Sequence, residues 1–264
     1  MKIRELFDEL LAWGGERTGR TCDTCKAGDL DAEIRGIGIS MFATPDVIRA
    51  CAKNGYNFLI VHEPTYYNHW DDAIPYAVGE EKRRLIEECG LTIVRFHDHA
   101  HSMQPDLIFN GEMRALDLKG HSEPTEFFGT NDYVLDEPMT ARELAAHIER
   151  KLGIRHVRIA GCADKRGRRI SCSFGTPGHI AEALERDDFV LTGEICEWAE
   201  GQLVRDYAQL GYNKAILVMG HIGSERDGMR RLAELLREKY PELPAEYLEC
   251  GEVYQYTDTL EPLR

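Results

Sequence analysis

ISMFATPDVIRACAKNGYNFLIVHE, residues 39–63, has a counterpart in ISCSFGTPGHIAEALERDDFVLTGE, residues 170–194. Each reads as a short apolar strand, a Thr-Pro helix start, a helix, and a second apolar strand that ends in glutamate. The threonine hydroxyl can accept from an orphan amide of the first turn, and proline at the first helical position lacks only a donor that would go unused. Thr44-Pro45 faces Thr176-Pro177, and Phe58 faces Phe189 after a single gap, so that His62-Glu63 falls on Gly193-Glu194. The strands that follow also correspond. LTIVRFHDHAH, residues 91–101, aligns with AILVMGHIGSE, residues 215–225, so His97 meets His221 and His101 meets Glu225. These runs are continuous rather than alternating, the pattern of strands covered on both faces. Strand alternating with helix, twice over, predicts an α/β protein made of two units related by duplication.

Outward from the repeat, Glu80 to Cys89 reads as a helix stopped at Gly90, and Thr140-Ala141-Arg142-Glu143 is a capping box that opens another. Helices are also expected over Glu197 to Leu210, with Trp198 in the core, and over Asp227 to Tyr240. Residues 102–138 are richer in Gly, Pro and polar side chains and mark the boundary, giving a first unit over 1–125 and a second over 126–264.

The 264 residues can bury a sizeable core, and 43% hydrophobic with 30% charged residues is ordinary for a globular chain. A net charge of −14 disfavours general nucleic-acid binding, because a phosphate backbone would be repelled. No apolar run reaches the length of a membrane span. The opening MKIRELFDELLAWGGE has early acids and reads as an amphipathic helix rather than a signal peptide, so the expected location is cytoplasmic and the eight cysteines are expected as thiols. Cys22 and Cys25 form a lone C-x-x-C, and a structural zinc site would need a second pair. There is no G-x-S-x-G, no Walker loop and no G-x-G-x-x-G after a strand.

What remains is a set of metal-capable groups at the carboxyl ends of strands, where α/β sheets gather their ligands. They are His62-Glu63, His97 with His101, and His221 with Glu225. Imidazole with carboxylate suits zinc, iron, manganese or nickel. Two ions need a bridging group, and Glu225, in a loop that starts a helix, can supply one. If the strand continues past His97, then His97, His99 and His101 share a face with Asp98 opposite. Arg95 could anchor a phosphate or carboxylate but is expected at a solvated edge, and His69, His121, His147, His156 and His179 are expected to be hydrogen-bonded or surface groups. Glu194 and His97 are the candidate proton carriers.

The stretches LIVHEPTYYN (59–68), FHDHAH (96–101), LTGE (191–194) and GHIGSERDGMRRLAELL (220–236) resemble the Nif-three-like family, a dinuclear-metal group often labelled GTP cyclohydrolase I type 2-like. The resemblance spans the chain from the first helix to about residue 250. It implies two intertwined three-layer α/β/α units, a toroidal homo-hexamer, and two divalent ions held at His62, Glu63, His101, His221 and Glu225. Glu63 stands where relatives usually carry a second His, and His101 where they carry an Asp. Asp98 and Asp106 are alternative carboxylates. The implied function is a metal-dependent hydrolase acting on a small molecule, or a non-catalytic metal-binding scaffold.

Overall fold

Burial of β-branched and aromatic runs on both faces of two sheets organises the chain. The computed structural model describes residues 1–123, 125 and 130–257. The chain opens with α1 (Ile3–Trp13), which buries Ile3, Leu6, Phe7 and Leu10 at the spacing of one helical face. There follow β1 (Cys25–Ala27), β2 (Ile37–Ser40), α2 (Pro45–Lys53), β3 (Phe58–Val61), α3 (Ala77–Glu88), β4 (Thr92–Arg95) and α4 (Asp98–Ser102). Next come α5 (Leu107–Leu116), β5 (Gly120–Glu123), β6 (Asn131–Thr140), α6 (Ala141–Leu152), β7 (Arg158–Gly161), β8 (Arg166–Ser173), α7 (Ile180–Arg186) and β9 (Phe189–Thr192). A π-helical turn, Glu197–Gly201, leads into α8 (Gln202–Gln209), then β10 (Ala215–Val218), α9 (His221–Lys239) and β11 (Ala245–Tyr247).

Two compact units result. The first comprises Met1–His99 together with the chain from Leu232 on, and the second Ala100–Arg231. The sheet of the first has the order β1-β4-β3-β2-β11. All residues of β2, β3 and β4 are buried, and Leu59, Val61 and Ile93 pack with Val47, Ile48 and Cys51 of α2 and Ile86 of α3. The sheet of the second has the order β5-β6-β8-β9-β10-β7. On one face Phe189, Leu191 and Leu217 meet Leu144 and Ile148 of α6; on the other Val190, Ile216 and Val218 meet Ile180 and Leu184 of α7 and Val204 of α8. This is the mixed α/β, duplicated architecture the repeat predicts.

The repeat is visible in the registers. Parallel β2-β3-β4 pairs Ile37 with Phe58 and Phe58 with Thr92, and parallel β8-β9-β10 pairs Ile170 with Phe189 and Phe189 with Ala215. Phe58 and Phe189 are thus equivalent, but Ile170 corresponds to Ile37, two residues earlier than the sequence alignment, and Ala215 to Thr92, one residue later, so that in register His97 falls on Gly220 rather than on His221. A slip of two keeps every side chain on its face, so hydrophobic pattern alone does not detect it.

Several local expectations are corrected. Thr44 caps α2, accepting from the Val47 amide at 3.2 Å, but Thr176-Pro177 opens no helix. Gly175 there has φ +72°, the Gly178 amide donates to Ser173 Oγ at 3.1 Å, and α7 starts only at Ile180. The turn consumes the Thr-Pro pair. Residues 102–138, expected to mark the boundary between the units, include α5, β5 and most of β6. Trp198 is 85% exposed on the π-helical turn instead of buried. Helix α9 begins at His221, six residues before the expected start, so Glu225 lies on a helix rather than in a loop, and α4 begins at Asp98, so His99 and His101 lie on a helix rather than on a continuing strand.

Candidate metal centre

In the first unit, parallel β3 and β4 deliver their carboxyl ends side by side, with Val61 beside Arg95. His62 and Glu63 follow β3, and Phe96 and His97 follow β4. His62 is fully buried, and its Nδ1 donates to the Phe96 carbonyl at 3.0 Å. That bond places the proton on Nδ1 and the lone pair on Nε2. The rings of His62 and His97 lie 4.6 Å apart, and each offers a ligand nitrogen within 4.8 Å of the other. A carboxylate oxygen of Glu63 also lies within 4.8 Å of a His62 nitrogen.

Arg95 is 1% exposed, which corrects its assignment to a solvated edge. Its guanidinium donates to the carbonyls of His62 (2.8 Å) and His69 (2.6 Å) and to Glu63 Oε2 (3.2 Å). A buried cation requires such partners. Glu63 therefore carries a structural duty in addition to any ligand role, and Arg95 fixes the chain bend at His62-Glu63.

Asp23 holds the start of α4. Its Oδ1 accepts from the amides of His97 (2.7 Å) and Asp98 (3.2 Å), and its Oδ2 from the amide of His99 (2.7 Å) and from His99 Nδ1 (2.6 Å). His97 Nδ1 faces Asp98 Oδ1 at 3.0 Å. Burial opposes the charge on Asp98, but hydrogen bonds from His97, Thr21 and the Cys22 amide outweigh it and hold the carboxyl well below the usual carboxylate range. Cys22, His97 and Asp98 offer ligand atoms within 4.8 Å of one another. Burial pushes the Cys22 thiol up to about 12 and also raises Cys25, so both stay protonated at neutral pH. All eight cysteines are free.

In the second unit, β9 and β10 run parallel, with Val218 beside Thr192. Glu194 follows β9, and His221 opens α9. The i, i+4 spacing sets His221 and Glu225 on one helical face, with Nε2 and Oε2 3.1 Å apart. His221 Nδ1 lies 2.6 Å from Glu194 Oε1. His101 Nε2 lies 3.9 Å from Glu225 Oε1, and its Nδ1 faces Asp106 Oδ2 at 3.2 Å. Asp106 also caps α5, accepting from Ile108 and Phe109. Glu225 is 2% exposed, and Ser224 ties its turn down by accepting from the Gly175 amide and donating to the His221 carbonyl, both at 2.9 Å.

The seven sequence-predicted residues thus fall into two sets, His62, Glu63 and His97 in the first unit and His101, Glu194, His221 and Glu225 in the second. In His62, His97, His101 and His221 alike, Nδ1 is held by a carbonyl or carboxylate. That is the arrangement by which metal-ligating imidazoles are oriented, with Nε2 left to bind. The donor set, imidazole with carboxylate, fits a divalent ion. Asp98 and Asp106, read as substitute ligands, instead face Nδ1 of His97 and His101. Sequence reasoning missed Asp23 and the inward role of Arg95. Neither sits in a recognisable spacing, and both act through contacts 26 or more residues away in the chain. His147 is hydrogen-bonded to the Leu116 carbonyl at 2.7 Å, in keeping with its expected role.

Known proteins are similar to this chain in sequence or in fold. The "GTP cyclohydrolase 1 type 2 homolog" of Neisseria meningitidis is 28% identical over 214 residues, covering 78% of this chain and 81% of the relative. The protein of that name from Salmonella typhimurium is 26% identical, covering 78% of each. Among solved structures, the Staphylococcus aureus hypothetical protein SA1388 superposes with a TM-score of 0.78 at 16% identity, over 97% of this chain and 99% of its own. Reduced HcgD from Methanocaldococcus jannaschii does so with a TM-score of 0.72 at 18% identity, over 94% and 97%. These structural likenesses establish the fold. The sequence model of the Duf34/NIF3 (NGG1p interacting factor 3) family matches residues 23–251, and the chain belongs to that family.

Proposed function

We propose that this protein is a metal-dependent hydrolase whose two divalent ions are held at one dinuclear centre by His62, Glu63, His101, His221 and Glu225. The observation that carries the reading is the common orientation of four imidazoles through Nδ1, with the Glu225 carboxylate set between His101 and His221. Zinc, iron, manganese and nickel all accept such donors. A pair of such ions supplies Lewis acidity and lowers the pKa of water toward neutrality. The chain's own residues do the rest. Glu225 offers one oxygen toward each of two histidines, as a bridging carboxylate requires. Glu194, half exposed, fixes the proton on His221 Nδ1 and can exchange it with solvent. His97 holds its proton on Nδ1 against a charged Asp98 and is the group placed to pass a proton at Nε2.

The substrate in this reading is a small molecule, the assembly a homo-hexamer and the location cytoplasmic, all three supported by family likeness and sequence. The name of the curated relatives makes GTP one member of the substrate panel. A second reading, metal as a stabiliser of a non-catalytic scaffold, is favoured by the full burial of His62 and near-full burial of Glu225. Elemental analysis of the purified protein beside His62→Ala and His221→Ala, with hydrolysis of a panel of esters and nucleotides, separates these. Both variants are expected to lose metal. Full metal in both would sink the ligand assignment, and metal without turnover would leave the scaffold.

A further inference from the structure

At the carboxyl end of the second sheet lies a cavity of about 230 Å³ that the metal ligands do not line. Ala160, Ile195 and Val218 form its apolar wall, and Arg158, Arg205 and Glu197 its charged rim. Arg158 pairs across the sheet with Val218, three residues before His221, and Ile195 follows Glu194 directly. The cavity therefore stands beside the Glu194–His221 end of the unit. Both arginines are exposed, and neither guanidinium has an ion-pair or hydrogen-bond partner among the described residues. Two unneutralised guanidiniums on one cavity are notable in a chain of net charge −14. Among the residues that line the cavity, the one carboxylate is that of Glu197. Trp198, on the same π-helical turn as Glu197, is 85% exposed.

We propose that this cavity binds the phosphate monoester end of a small organic molecule. Guanidinium groups match phosphate oxygens with paired N–H donors, and a dianion answers two cations better than a carboxylate does. The volume suffices for a compact aryl or alkyl body, since a cavity of about 150 Å³ already admits benzene. The apolar wall receives that body, and Glu197 accepts from a hydroxyl on it. The inference deepens the hydrolase reading and rests on it for the reaction, though not for the binding.

The test is calorimetric titration of phenyl phosphate into protein stripped of metal by a chelator, so that no ion can hold the probe. Binding is expected, and Arg158→Gln and Arg205→Gln are each expected to weaken it at least tenfold. Circular dichroism checks the fold of both. Ala160→Phe, which fills the cavity from β7, is expected to weaken binding without removing a charge. Benzoate is expected to bind at least tenfold more weakly than phenyl phosphate. The proposal is overturned if stripped protein binds no phenyl phosphate, if all three variants bind as wild type, if benzoate binds equally well, or if His221→Ala abolishes binding and so moves the probe to the histidine cluster. Retained binding, with no member of the ester and nucleotide panel hydrolysed by metal-loaded protein, would fail the hydrolase reading while leaving the cavity assigned.

Discussion

Gly193 and His62 occupy the same place in the repeat, and packing explains why only one carries a ring. A Cβ on Gly193 would lie 2.5 Å from the Gly175 carbonyl and 2.9 Å from the His221 Cα. The second unit has spent that space on bringing α9 against the end of β9. Gly193→Ala is expected to displace the His221 backbone and to cost about 1–3 kcal/mol, the usual range for overpacking. A lower urea midpoint together with reduced metal content would register it. Glu112 gives a second single-residue prediction. It is fully buried, with Oε1 accepting from the Asp227 amide at 2.7 Å. Burial, and then the Asp227 carboxylate, raise its pKa well above the usual 4.5. As pH rises through 4.5 the unfolded chain releases this proton while the folded chain keeps it, so stability falls with rising pH. Glu112→Gln keeps the acceptor and removes that dependence. The variant's melting temperature relative to wild type is expected to rise as pH is raised from about 4.5 toward neutrality, and a pH-independent difference would contradict the account.

At the scale of elements, the helix starts carry much of the organisation. Thr140 and Glu143 form a reciprocal capping box on α6, with Thr140 Oγ1 accepting from the Glu143 amide at 3.1 Å and Glu143 Oε2 from the Thr140 amide at 2.8 Å. This helix covers one face of the second sheet through Leu144 and Ile148. Thr140→Ala is expected to cost about 1 kcal/mol, read from chemical denaturation. The cap was legible because its partners are three residues apart. The start of α4 was not, because its cap is Asp23, 75 residues from Asp98. With that cap unseen, His97 to His101 reads as strand, and the one-turn geometry of the ligand candidates stays hidden. The early start of α9 escaped for a related reason. His221-Ile222-Gly223-Ser224 puts a glycine and a serine in the first turn, poor helix formers that tertiary packing against Gly175 and Gly193 overrides.

At the scale of the whole molecule, the last strand returns to the first sheet. β11 pairs in parallel with β2, the Ile37 amide donates to the Pro244 carbonyl at 2.8 Å, and the Leu248 amide to the Ile39 carbonyl at 2.7 Å. Truncation before Ala245 is expected to expose this edge and remove Leu248 from the core, a loss of about 1.5–3 kcal/mol from that side chain alone. Unchanged thermal stability of the truncated chain would refute the role assigned to β11. No helix among the described residues is long and apolar enough to cross a membrane. By itself, the sequence determined the α/β class, the duplicated strand triplets and the positions of the metal-capable side chains. Each of these is written in local hydrophobic periodicity and in residue type at strand ends. Only the tertiary structure decided that residues from Leu232 on rejoin the first unit, that Arg95 is an internal clamp, and which group orients each imidazole. Those outcomes depend on contacts between residues far apart in the chain, where desolvation and exact hydrogen-bond geometry, rather than periodicity, select the partner.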